Sequence, residues 1–297
     1  MILAIIPTED STESAGLAFW MDCVLERARK IKPRWRSEDI HGLRVALRRC
    51  RTMAETLQDV NPTPGWRKIK NGTSDLFHTL GDLRDTQVAR VWVRKLAPAA
   101  DPVRIRLLRV FSQKEKRQRK LADRSLADFD RKNWRKWKRR LEPKARFFPL
   151  DSIVFQRIAL ARLSEAFDLY QKAHRKRSSV AWHRVRIGIK RFRYVVENFL
   201  PRRYGVWAAD LKRFQDLLGD LHDLDVLRAT VQRGAKILAP AAVARWLSKI
   251  DGERNARLDE LLQKSAAQDS PWMVWRDGLR TVHVLAASPT QLERRTA

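Results

Sequence analysis

The sequence predicts an all-α protein, and three observations carry that expectation. Apolar residues recur at three- and four-residue spacing along most of the chain, and clean strand alternation is scarce. Prolines and candidate N-caps divide this periodicity into about eight helices with short connections, enough for two four-helix bundles. One basic helical motif also occurs twice, which points to internal duplication.

The elements follow in order. Leu17, Trp20, Val24, Ala28 and Ile31 mark one face of a first helix, which Pro33 stops. Ser37 is expected to cap a second helix, with Glu38 and Asp39 at its positive end, running towards Asn61-Pro62. Pro64 opens a third, through Leu76, Leu80, Leu83 and Val88 to near Leu96. Asp101-Pro102 starts a long, very basic fourth that ends near Glu142-Pro143. Two prolines make 143–150 a linker, dividing the chain into 1–142, 143–150 and 151–297. The plan then repeats. Ile153, Leu160, Leu163, Phe167 and Tyr170 line a fifth helix, and Ser179 is expected to cap a sixth that ends at Leu200-Pro201. A seventh runs from near Tyr204 to Arg233 and an eighth from near Pro240 to Lys264. Trp272 and Trp275 are expected to pack the tail back onto the body.

The repeated motif is His41-Gly-Leu-Arg-Val-Ala-Leu-Arg-Arg-Cys-Arg51, which returns as His183-Arg-Val-Arg-Ile-Gly-Ile-Lys-Arg-Phe-Arg193. A second pair accompanies it: Leu80-Gly-Asp-Leu-Arg-Asp85 and Leu218-Gly-Asp-Leu-His-Asp223. The copies keep the same order and nearly the same offset, so duplication of half the chain is the simplest origin.

Charge narrows the function. The 297 residues hold 62 Lys+Arg against 34 Asp+Glu, a net charge of +28. Such an excess strains a compact fold and asks for a polyanionic partner. Cys23 and Cys50 fall among apolar neighbours and read as reduced core thiols, with no zinc spacing. The apolar start, Met1 to Pro7, is too short for a signal segment, and no window reaches the length of a membrane span. The expected location is therefore cytoplasmic.

On a helical wheel, His41, Arg44, Arg48 and Arg51 share one arc, and Leu43, Ala46, Leu47, Cys50, Met53, Ala54 and Leu57 lie opposite. In the second copy His183, Arg186, Lys190 and Arg193 face away from Val185, Ile189, Phe192, Val195, Val196 and Phe199. An ordinary solvated face alternates sign, and these stripes contain no carboxylate. Two readings stand: the stripes bind an anion, for which the planar paired donors of guanidinium are suited, or they pair with carboxylates of neighbouring helices. Asp82, Asp85, Asp220 and Asp223 are the expected orienting carboxylates. Gly81 and Gly219 either permit close helix packing or mark a turn.

Two further functions are open. Trp134 and Trp137, interleaved with cations in the stretch from Arg131 to Arg140, would suit nucleic-acid stacking, or would anchor that helix to the body. His183, His222, Asp223 and Asp259 resemble the ligands of helical metal-dependent phosphohydrolases, but Arg84 stands in the first copy where His222 stands in the second, and arginine does not ligate a divalent metal.

The two His-x-x-Arg-x-x-x-(Arg/Lys)-Arg-x-Arg helices and the two Leu-Gly-x-Leu-x-Asp segments, in alternating order, resemble the conserved histidine α-helical domain (CHAD) family over roughly residues 13–265. The resemblance implies two four-helix bundles with pseudo-twofold symmetry and non-catalytic binding of inorganic polyphosphate through a basic surface or channel. Some members associate with polyphosphate granules. It implies phosphate contacts from His41, Arg44, Arg48 and Arg51 on one half and from His183, Arg186, Lys190 and Arg193 on the other. Arg49 and Arg191 match the family's basic pattern but lie off the stripe. Lys212 also resembles a family basic position, whereas its counterpart in the first half is Ser74. No metal or cofactor is expected, and nothing resembles the Glu-x-Glu-x-Lys start of the triphosphate-tunnel domain fused to some relatives.

Overall fold

The computed structural model describes residues 16–31, 35–234 and 239–280. Among them the protein is all-α: eleven helices and no strand. They are α1 (Leu17–Lys30), α2 (Ser37–Val60), α3 (Pro64–Asn71), α4 (Ser74–Leu96), α5 (Pro102–Asp128), α6 (Arg131–Arg146), α7 (Ile153–Lys176), α8 (Ser179–Phe199), α9 (Pro201–Gly234), α10 (Pro240–Ala266) and α11 (Pro271–Arg280). The expectations for the Met1–Pro7 start and for Pro33 lie outside the described residues.

Local chemistry explains the boundaries. Asp101 caps α5 by accepting from the Arg104 amide at 2.9 Å, with Pro102 behind it, and Asp130 caps α6 through the Asn133 amide at 2.9 Å. Two expected caps are corrected. Ser37 is already helical, and its hydroxyl donates to Gln87 Oε1 at 3.2 Å instead. At α8 the cap is Ser178, not Ser179, accepting from the Ala181 amide at 3.2 Å.

Two long expected helices are each broken in two. The third ends at Asn71, where the Thr73 hydroxyl donates back to the Ile69 carbonyl at 2.8 Å, and α4 begins anew. The fourth breaks at extended Phe129, and the Asp130 cap starts α6. That helix runs through Pro143 to Arg146, into the stretch expected as a connector. Gly81 and Gly219 lie inside α4 and α9, so neither marks a turn.

The described residues form two compact units, neither contiguous in sequence. One gathers residues 16–148 with 219–258. In it α2 packs on α1, α3 and α4, while α6 packs on α1 and α3. The apolar face read for α1 is buried throughout, from Leu17 to Ile31. Val93, Leu107 and Phe111 from α4 and α5 share a second cluster with Leu224, Leu227, Trp246 and Ile250. The other unit gathers residues 149–218 with 259–280. There α7 packs on α8 and α11, and Phe214 and Phe192 meet Trp275 at ring separations of 5.3 and 5.4 Å. Trp272 and Trp275 are buried, as the tail was expected to be. Phe167 was expected on the core face of α7 but is exposed; Phe155, Ala159, Leu163 and Ala166 fill that core.

Candidate functional site

The α2 motif divides its residues as the wheel expects. Leu43, Ala46, Leu47, Cys50, Met53, Ala54 and Leu57 are all buried, which fixes the rotation of the helix. His41 is exposed, and Arg44, Arg48 and Arg51 are half-buried. Arg44 and Arg51 share an aromatic support. The Phe77 ring of α4 lies under both Arg44 and Arg51, with centroid distances of 5.2 and 4.8 Å. Each such contact contributes about 0.5–2 kcal/mol and leaves the positive charge intact. Arg51 also donates to the Lys70 carbonyl and, at 3.2 Å, to Thr73 Oγ1. Burial lowers its pKa, with Glu55 opposing the shift. Arg49 is buried elsewhere, its guanidinium 5.0 Å from the Trp20 ring centroid.

The Leu80–Asp85 segment meets the stripe through its glycine. A Cβ on Gly81 would fall 2.5 Å from Arg44 Nη1, so the missing side chain is the space that the guanidinium occupies. This is the close approach that repays a glycine inside a helix. Arg84 donates to Ser37 Oγ at 3.0 Å, tying α4 to the start of α2. Behind it, buried Glu115 of α5 takes Arg90 and, at 3.1 Å, Arg119. Burial works against that carboxylate, but hydrogen bonds from Gln87 and Arg90 outweigh it and lower its pKa.

The segment's aspartates are placed differently from its glycine. Asp82 and Asp85 are exposed and form no ion pair with any described residue. Asp220 accepts from Arg257 of α10 at 3.1 Å, and that arginine also takes Glu253 at 3.1 Å. His222 and Asp223 are half-buried on α9.

On α8 the apolar face is again buried, from Val185 to Phe199. His183, Arg186, Lys190 and Arg193 are half-buried, and Arg191 is exposed. Burial lowers the His183 pKa, and the charges of Arg186 and Lys190 lower it further. Arg193 has a carboxylate partner, buried Glu197 at 3.6 Å, and donates to the Tyr204 hydroxyl at 3.4 Å. Burial opposes its charge, but Glu197 and Tyr204 outweigh burial and raise its pKa. Lys212 is exposed on α9 and pairs with Asp216 at 2.6 Å.

Trp134 is fully buried and donates to the Met21 carbonyl at 2.9 Å, so it anchors α6 and offers no face to a base. Among the described residues, no group of three His, Cys, Asp or Glu side chains is placed to hold a metal ion, and no helix is long and apolar enough to cross a membrane.

Sequence reasoning missed Phe77, Thr73 and Glu197. Glu197 had a signal, since it stands one helical turn after Arg193, at i,i+4. The CHAD domain family model matches residues 22–232, which take in both basic helices and both Leu-Gly-x-Leu-x-Asp segments. The chain belongs to the CHAD domain family. Solved structures agree with this CHAD fold. The CHAD domain from the plant Ricinus communis superposes with a TM-score of 0.56 at 21% identity, covering 94% of each chain. PptA from Streptomyces chartreusis gives a TM-score of 0.63 at 17% identity, covering 86% of this chain and 98% of that one. No curated protein matches this sequence.

Proposed function

We propose that this CHAD protein is a non-catalytic receptor for inorganic polyphosphate, bound by His41, Arg44, Arg48 and Arg51 of α2 and by His183, Arg186, Lys190 and Arg193 of α8. Arg191 and Lys212 supply further exposed cations, and Arg49 acts by fixing α2 against Trp20. The supporting observation is the way the α2 guanidiniums are held. The Phe77 ring lies under Arg44 and Arg51, and Thr73 and a backbone carbonyl accept further hydrogen bonds from Arg51. Such a face is partly ordered before ligand arrives, and its guanidiniums offer planar paired donors for charge-assisted hydrogen bonds to phosphate oxygens.

The two motif copies and their matched acidic segments further support a receptor that arose by duplicating one half-chain. Asp82 and Asp85 form no ion pair with a described residue and Asp220 holds Arg257, so these three do not orient the stripe cations as expected. The expected location is the cytoplasm, including polyphosphate granules. Nucleic acid is the weaker reading, because Trp134 is buried and offers no stacking face.

Competition at fixed salt tests the proposal. Long-chain polyphosphate is titrated against single- and double-stranded nucleic acid on the same protein. Polyphosphate should hold the protein against an excess of nucleic-acid phosphate. Displacement at equal phosphate concentration would remove the claim of specificity.

A further inference from the structure

We propose a second polyanion surface, outside the repeated motif, along the seam between α3 and α6. This rests on the polyphosphate reading: the seam would hold further units of a long chain whose first units sit on the α2 stripe.

The two helices are pressed together at small residues. A Cβ on Gly72 would fall 2.6 Å from the Trp137 ring, and one on Gly65 would fall 2.6 Å from Leu141. Those contacts fix the rotation of α6. Trp134 and Leu141 point inwards, and Lys138 reaches across to Asp22 of α1 at 2.5 Å. At about 100° per residue, the flank beside Trp137 then carries Lys136, Arg140 and Lys144, one per turn at i, i+4 and i+8. Lys68 of α3, whose carbonyl accepts the Gly72 amide at 2.9 Å, borders the same seam.

All four are exposed and form no ion pair with any described residue. The sequence of α3 contains no carboxylate, and that of α6 contains only Glu142, which lies on the opposite flank and takes Arg146 at 2.6 Å. A row of like charges one turn apart repels itself unless an anion lies along it.

The seam adjoins the stripe. Arg51, the last stripe residue, donates to the carbonyl of Lys70, two residues before Gly72 and its contact with Trp137. Trp134 is buried, and half-buried Trp137 has one edge of its ring packed on Gly72, which limits the ring surface beside the cations. That favours a chain of bare phosphates over a chain of bases.

The test compares two triple variants matched in charge. Lys136→Gln/Arg140→Gln/Lys144→Gln empties the seam. Lys132→Gln/Arg135→Gln/Arg139→Gln removes the same charge from the outer face of α6. Circular dichroism checks that both fold, and each is titrated with long-chain polyphosphate and with tripolyphosphate. The seam variant should bind the long chain about tenfold more weakly, with a salt slope shallower by about two. It should bind tripolyphosphate within about twofold of wild type, and the outer-face variant should keep both affinities.

Equal losses in the two variants would mean that the general positive field does the work and would overturn the seam. So would an equal loss for both ligands, or no loss at all. Wild-type protein that binds neither phosphate ligand would instead sink the polyphosphate reading itself, and the seam with it.

Discussion

The α2 and α8 stripes share a motif and an apolar face, yet their last arginines are held in opposite ways. Arg51 rests on Phe77 and donates to Thr73 and a carbonyl, all uncharged partners. Arg193 leans on buried Glu197 and on Tyr204. Both copies have a glutamate four residues after the arginine, Glu55 and Glu197. Glu55 stays exposed and reaches Lys70 at 3.6 Å, while Glu197 is buried against its own arginine. The same sequence step therefore leaves Arg51 on uncharged partners and turns the end of the other stripe into a structural pair. A repeated motif does not guarantee repeated energetics; the packing of the residue one turn later decides which arginine has a buried carboxylate partner.

The largest expected difference is in stability. Glu197→Gln removes the buried carboxylate partner of half-buried Arg193 and should cost about 3 kcal/mol in denaturant unfolding. Glu55→Gln removes only an exposed pair and should cost no more than about 0.5 kcal/mol. Equal costs would erase the contrast.

Affinity should show the reverse asymmetry. Arg51→Gln should weaken polyphosphate binding about tenfold, the loss of one charge-assisted hydrogen bond. Arg193→Gln should change affinity less than Arg51→Gln and lower the melting temperature more. Titration calorimetry paired with thermal melts reads both effects.

Gly81→Ala separates position from stability. The new methyl displaces the Arg44 guanidinium, which is the movable end of a flexible side chain. Alanine also favours the helix by about 1 kcal/mol. If Arg44 contacts phosphate as proposed, binding should weaken about three- to tenfold while the melting temperature holds or rises. A lower melting temperature with unchanged affinity would assign Gly81 to packing alone.

The smallest effect is in pH. His183 has a lowered pKa in the free protein, from burial and then from Arg186 and Lys190. A bound polyanion reverses that local field and raises the pKa. Between the two values, binding takes up a proton, so affinity should rise as pH falls through the bound-state value and level off below the free one. His183→Gln should flatten this rise, a change of a few-fold across the histidine range.

Much of the fold was legible because burial follows periodicity. Every apolar residue assigned to the inner faces of α1, α2 and α8 is buried. Helix breaks were less legible. Nothing in the apolar period from Pro64 to Leu96 announces that Thr73 will hydrogen-bond back to Ile69 and end a helix there. Capping depends on a single residue's backbone angle, so the α8 cap was misread by one position.

The stripes were visible as faces, but their supports were not. Phe77 looks like any core aromatic until α4 is placed beside α2. Gly81 and Gly219 were expected to permit close helix packing or to mark a turn; Gly81 instead makes room for the Arg44 side chain, and a Cβ on Gly219 would meet open space.

The central claim is that the two motif faces, and not the overall charge, bind polyphosphate. Its most direct test is Arg44→Ala/Arg48→Ala/Arg186→Ala/Lys190→Ala, titrated with long-chain polyphosphate at physiological salt. Losing four charge-assisted contacts should weaken binding by at least about a hundredfold. The protein would still carry most of its +28 charge. Affinity within a few-fold of wild type would contradict the account.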